Sequence, residues 1–265
     1  MLSVARPGRL ITVSPQTDRE DVARLISKYD LLALPVVEQG RVIGIVTVDD
    51  VIDAIIKENT EDLQKLGGMA ALNEPYMQIG FWQMIRKRGG WLSVLFLSEM
   101  LTASAMQNYQ MELEKAIVLT LFIPLIMSSG GNSGSQATSL LIRALALREL
   151  DLRDWWRVAL REIPSGITLG AMLGLIGISR IALWQHLGFY DYGEHWILIA
   201  LTVGAALVGI VTFGSLTGSM LPFLLQRLGF DPASASAPFV ATLVDVTGLV
   251  IYFSVASLIL SGTIL

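Results

Sequence analysis

The chain has no cysteine and only two histidines in 265 residues. No disulfide can form and no thiolate can hold a metal, while the redox compartment stays open. His186 and His195 fall outside the apolar runs and read as loop residues, so soft or imidazole-bound metals suit this sequence poorly. Charge is also scarce: 16% of residues are charged, against 53% hydrophobic. That balance is too apolar for an ordinary soluble domain. The net charge is −4, and more than half of the carboxylates fall in the first 75 residues. The polar part is therefore acidic, which argues against nucleic acid and suits cations. The first nine residues lack the apolar core of a signal peptide. A glycine-rich run, GGNSG at 130–134, carries no lysine and follows no strand, so it is no P-loop. Nothing resembles a nucleophile–base pair, and no covalent catalysis is expected.

What is present is apolar sequence in long stretches, at about 91–107, 117–145, 163–183, 196–221 and 239–260. Each approaches or exceeds the roughly 20 residues that cross a bilayer, except the first, which needs flanking residues such as 85–90. The fold expected is mostly α: a polytopic membrane protein with five transmembrane helices, preceded by a small cytoplasmic α/β module. The division expected is 1–60 for that module, 61–88 for a linker with a plug-like helix, and 89–265 for the membrane domain. Arg86, Lys87 and Arg88 precede the first stretch, Arg143, Arg148, Arg153, Arg157 and Arg161 lie between the second and third, and Arg227 lies between the fourth and fifth. The opposite loops carry Lys115, Arg180, Glu112, Glu114, Asp191 and Glu194. The bias places the N-terminus in the cytoplasm and the C-terminus outside. Trp184, Tyr190, Tyr192 and Trp196 suit one interface, Trp155 and Trp156 the other. Residues 147–166 read as an interfacial loop or short helix, with Pro164 opening the third span. The glycines at 166, 170, 174 and 177, and at 204, 209, 214 and 218, read as helix-packing positions.

Two features break the apolar pattern. The second stretch carries Ser128 to Gln136, polar and glycine-rich, which is tolerable at membrane depth only where protein covers it or water reaches it. The first and fifth stretches carry Glu99 and Asp245. An ionised carboxylate at mid-bilayer costs roughly 2.5–3.5 kcal/mol on insertion scales. Asp245 has no basic residue in a neighbouring span to pair with, so it reads as a cation site, with a neutral, serine-bonded acid as the plainer alternative. Glu99 leans the other way. Ala241 lies one turn before Asp245 on the same face, and Pro238 frees a backbone carbonyl nearby. Hard oxygen donors of this kind leave Mg²⁺, Ca²⁺, Na⁺ or H⁺. One carboxylate with few other ligands suits Mg²⁺, which is held through its own waters. A two-fold dimer would bring two Asp245 carboxylates to the axis.

The first 75 residues read as strand (9–14), helix from an Asp18 cap to Tyr29, strands at 33–38 and 41–47 joined at Gln39-Gly40, and a second helix at about 48–58 with Val51, Ile52, Ile55 and Ile56 inward. The stretch LLALPVVEQGRVIGIVTVDDVIDAI resembles a CBS module. Such modules pair, and one is present, so the chain is expected to begin inside a longer protein or to borrow a module from a dimer partner. The resemblance implies an adenine nucleotide with its ribose near Thr47 and Asp50; the plainer reading is that these residues cap the helix. Residues 57–75 read as a linker helix ending at Gly67-Gly68, with a turn at 73–75. Its Glu58, Glu61 and Asp62 are either a solvated face or a divalent-cation sensor.

Taken together, the CBS-like segment with its acidic linker, GGNSGSQ in the second stretch and FVATLVDVTGLVIYF in the fifth resemble the MgtE family of magnesium transporters. That resemblance covers about 10–265. It implies a homodimeric Mg²⁺ channel in the lipid bilayer, with Mg²⁺ bound by Asp245 beside the Ala241 carbonyl. Gly130, Gly131, Asn132 and Gln136 are expected on the path wall. It further implies gating by Mg²⁺ at Asp50, Asp53, Glu58, Glu61, Asp62 and Asp231. The family's N-terminal helical domain and first CBS module have no counterpart here, so sensing is expected to be weakened while permeation survives. The alternatives are a proton-coupled divalent-cation transporter in which Asp245 titrates, and a non-conducting membrane scaffold or sensor.

Overall fold

A computed structural model describes residues 10–72 and 74–264, which divide into two compact units, Met1–Asp62 and Leu63–Leu265. Arg9 and Asn73, which enter the expected first strand and the turn at 73–75, lie outside the described residues.

In the first unit, the Asp18 carboxylate accepts from the Glu20 amide and starts α1 (Arg19–Tyr29). Val22, Ala23 and Ile26 of α1 are buried with Val13, Leu34 and Val51. β1 (Ala33–Glu38) and β2 (Arg41–Thr47) pair antiparallel. Gln39 and Gly40 between them both take positive φ, the primed turn whose twist matches a hairpin. Residues 10–14 form no strand of their own. Only Val13 bridges Val36, its N–H donating to the Pro35 carbonyl at 3.1 Å. Pro15 removes the next donor. The next helix, α2 (Val48–Leu66), runs well past the expected end at Glu58, so second helix and linker helix are one. It stops at Gly67-Gly68, where Gly68 takes φ +72°. Of the four residues expected inward on α2, only Val51 is buried; Ile52, Ile55 and Ile56 are exposed. Two strands and one short helix cannot cover both sides of α2.

The second unit holds α3 (Phe81–Asn108), α4 (Gln110–Lys115), a 3-10 segment Ile117–Phe122, α5 (Ile123–Ala146), α6 (Trp155–Leu187), α7 (Trp196–Arg227) and α8 (Ala237–Leu260). Among the described residues, four segments are long and apolar enough to cross a membrane: Ile117–Ala146, Leu152–Leu187, Trp196–Arg227 and Ala237–Leu260. α3 has 28 residues, ample for a span, but Arg86–Arg88, two glycines, Ser93, Ser98 and Glu99 interrupt its apolar character. Residues 155–166, expected as an interfacial loop or short helix, are instead the opening turns of α6. Asp151 and Asp154 exchange cap hydrogen bonds just before it and start the helix early. Pro164 consequently sits inside α6, not at its start.

α7 lies among α5, α6 and α8 and carries the most buried surface of the four spans. Ile126, Ile181, Leu207, Ile210, Val244, Tyr252 and Phe253 form the core around it. Glycines let α7 approach its neighbours to backbone contact. A Cβ on Gly170 would stand 2.6 Å from Val208 Cα, and one on Gly218 would collide with the Gly134 carbonyl oxygen. The Ser133 and Ser215 hydroxyls meet at 2.7 Å across the same α5–α7 seam. The Thr138 hydroxyl reaches the Gly134 and Gly218 carbonyls at 2.9 and 2.8 Å. The glycine expectation thus holds, with the α5 run adding its own members.

Candidate functional site

α5 and α8 run antiparallel in a register that their small residues fix. Pro238 opens α8, where its missing N–H costs nothing. A Cβ on Gly131 would meet that of Ala241 at 3.3 Å, one on Gly130 would meet Val244, and one on Gly134 would meet Val240. The Ser135 hydroxyl reaches the Ala237 carbonyl at 3.3 Å. Asp245, one turn beyond Ala241, therefore lies at the level of the Ser128–Asn132 turn. It is the ninth residue of a 24-residue apolar helix, half-buried, and makes no ion pair among the described residues. Glu99 on α3, also half-buried, is near enough to act on it electrostatically.

The exposed side of α5 at this depth is polar. Ser128, Asn132 and Gln136 follow at single-turn spacing and all are exposed, with the Asn132 amide 3.4 Å from the Ser128 hydroxyl. Ser128 belongs to this stripe, and the four-residue spacing to Asn132 is the signal that identifies it. Gly130 and Gly131 do not line it. Both are buried, because a side chain there would collide with Ile210 and Val244 or press on Ala241. Their role is to admit α7 and α8.

Among the described residues, no three carboxylates or histidines gather closely enough to hold a metal ion. Five of the six acids expected at a regulatory site are engaged in interactions. Glu58 accepts from Arg19 at 2.7 Å. Asp50 accepts from the Thr47 hydroxyl at 2.6 Å and from its amide at 3.2 Å, the reciprocal half of a capping box opening α2. The Thr47 hydroxyl, and next its amide, hold the Asp50 carboxyl below its ordinary pKa. Asp53 is exposed. Glu61 and Asp62 have interactions of their own. Asp231 accepts from Lys65 at 2.6 Å and from the Ala233 amide at 2.9 Å. The Lys65–Asp231 pair joins positions 166 apart, and no local sequence signal announces it. Asp50 also borders a cavity of about 380 Å³ in the first unit, with Ser14, Thr17, Val36 and Val46.

Comparison with known proteins places these observations. The profile of a family described as divalent cation transporter, MgtE, matches residues 123–255, and that of the CBS domain matches residues 4–57. A magnesium transporter MgtE of Thermus thermophilus is 46% identical over 255 residues, covering 96% of this chain and 54% of that protein. The magnesium transporters MgtE of Enterococcus faecalis and Bacillus subtilis are 37% and 32% identical, each covering 94% of this chain and 53% of their own length. The chain spans about half the length of the curated relatives it matches.

Proposed function

The chain belongs to the MgtE family of divalent cation transporters, membrane proteins and not enzymes, and from that premise we propose that it carries Mg²⁺ into the cytoplasm. The carrying observation is Asp245, without an ion-pair partner among the described residues, inside an apolar helix and level with an exposed polar stripe on α5. Neither could face hydrocarbon without cost. A second copy related by a two-fold axis would cover both and leave a wet path between them, with α3 as the fifth span. Asn132, Gln136 and Ser128 then wet the wall, and the Ala241 carbonyl and Asp245 hold the ion. Mg²⁺ sheds water reluctantly and is bound through one or two carboxylates with several waters retained, which two Asp245 side chains would supply. Metal here is cargo.

The relatives named as magnesium transporters support this choice of ion, and the arginine bias supports a cytoplasmic N-terminus in the cell's inner membrane. Cytoplasmic Mg²⁺ at Asp50, Asp53, Glu58, Glu61, Asp62 and Asp231 would regulate the path. At least three of these must change partners for that: Glu58 from Arg19, Asp231 from Lys65, Asp50 from Thr47. The cavity that Asp50 borders would take an adenine nucleotide, its ribose near Asp50 and Thr47.

The test is Mg²⁺ uptake into proteoliposomes, native against Asp245→Asn. Uptake lost in the variant is expected, and equal uptake would refute the ion site. Uptake that needs a pH gradient would favour proton coupling. No flux of any ion would favour a non-conducting scaffold.

A further inference from the structure

We propose a binding site for the phosphate of an anionic phospholipid in the second unit, in the cavity between the turn that follows α2 and the first turns of α3. The cavity holds about 320 Å³, within the range of small-ligand sites, and Lys65, Arg86, Lys87, Trp91, Met69 and Ser234 line it. Three cations thus converge on it, and one of them, Lys65, donates to Asp231. Lys87 is held in place by donating to the Ala71 carbonyl at 2.8 Å. Arg86 is exposed and forms no ion pair among the described residues, so its guanidinium fork is available for a bidentate phosphate contact.

Aromatic residues place the cavity at headgroup depth. Phe81 and Trp82, one turn before Arg86, are both exposed and touch edge-on at 5.3 Å. Trp91 is fixed in the cavity wall: its indole N–H donates to the Ser236 hydroxyl at 3.3 Å, and its ring faces Phe239 at 6.2 Å. Indole rings are enriched at the membrane–water boundary, and basic pockets beside spans on the cytoplasmic side take acidic headgroups. Met69 and Ala70 supply an apolar lining for the glycerol and the first methylenes. A phosphate seated here would bridge the α2 turn to α3. The inference rests on the membrane reading and its orientation, and is independent of which ion the path carries.

The test is a binding measurement without flux. The purified full chain is titrated with phosphatidylglycerol or phosphatidylcholine bearing brominated acyl chains, and quenching of tryptophan emission is followed; the Trp91 share is the difference from Trp91→Phe. Stronger quenching of that share by phosphatidylglycerol is expected, weakened about tenfold in Arg86→Gln and only partly restored in Arg86→Lys, which keeps the charge but loses the fork. Equal quenching by the two lipids, or an unchanged preference in Arg86→Gln, would overturn the site. Displacement of phosphatidylglycerol by millimolar inorganic phosphate would overturn its assignment to lipid and give it to a soluble anion.

Discussion

Gly218→Ala is the sharpest perturbation of the α5–α7 seam. The added Cβ would collide with the Gly134 carbonyl oxygen and stand 2.8 Å from its carbon and 2.9 Å from its Cα. All three atoms are backbone, so no rotamer can relieve the contact, and the helices must part by roughly an ångström to reach ordinary van der Waals separation. Parting them strains the Ser133–Ser215 bond and the reach of Thr138 to Gly218, two buried polar contacts worth about 1 kcal/mol each. Overpacking of this kind costs about 1–3 kcal/mol and more where backbone must move. The expected loss is therefore about 3–5 kcal/mol. For a chain of this size that is on the order of 10 °C in melting temperature. Gly90→Ala is the control: it is helical, nothing lies within 4 Å of its Cβ position, and the change should be neutral or stabilising by up to about 1 kcal/mol. The assay is thermal unfolding of the purified chain in detergent, with both variants beside the native protein. A Gly218→Ala protein that melts with the native one would refute the backbone contact.

Three further outcomes follow from the geometry. Asn132→Leu should keep its fold, because the side chain is exposed, while lowering Mg²⁺ uptake in proteoliposomes; uptake at the native rate would remove Asn132 from the path. Lys65→Met should cost at most about 1 kcal/mol in a denaturant titration, since the side chains of Lys65 and Asp231 are 27% and 38% exposed; a loss of several kcal/mol would mean a far drier pair. Thr47→Val removes the hydroxyl that holds the Asp50 carboxyl below its usual range. A depressed carboxylate stabilises the fold above its unfolded pKa, and that support is lost as pH falls through the folded value. The variant should become susceptible to proteolysis within the first unit at a higher pH than the native chain on acidification, and identical pH profiles would refute the assignment.

Much of this architecture is legible without coordinates, for identifiable reasons. The hairpin at 33–47 announces itself by β-branched runs around Gln39-Gly40, and α1 by Asp18 and its apolar spacing. Four apolar helices follow from composition alone, because a membrane imposes one requirement on every residue of a span. α3 is less plain, since its charges and small residues dilute the signal. Pro164 misleads: local chemistry favours a helix start there, yet the caps at Asp151 and Asp154 come first and packing on α7 carries the helix through. Asp245 stands out as a charge in an apolar run. The fate of Gly130 and Gly131 does not, because a glycine that lines a cavity and one that admits a neighbouring helix look alike in sequence. The Lys65–Asp231 bond and the cavity behind Arg86 depend on distant segments meeting, which no local pattern encodes.

The glycine contacts of α7 also say where the membrane unit can give way. Where backbone rests on backbone there are no side chains to re-sort, so α5, α6 and α7 can shift only together, as a stator. α8 is seated differently. It touches α5 through Val240, Ala241 and Val244 set against glycines, a bearing of small convex groups on a nearly smooth rail. Among the described residues, two hydrogen bonds tie it to its neighbours, Ser135 to the Ala237 carbonyl and Tyr252 to the Leu119 carbonyl; a fraction of a step along the rail strains only these, and Asp245 rides on it.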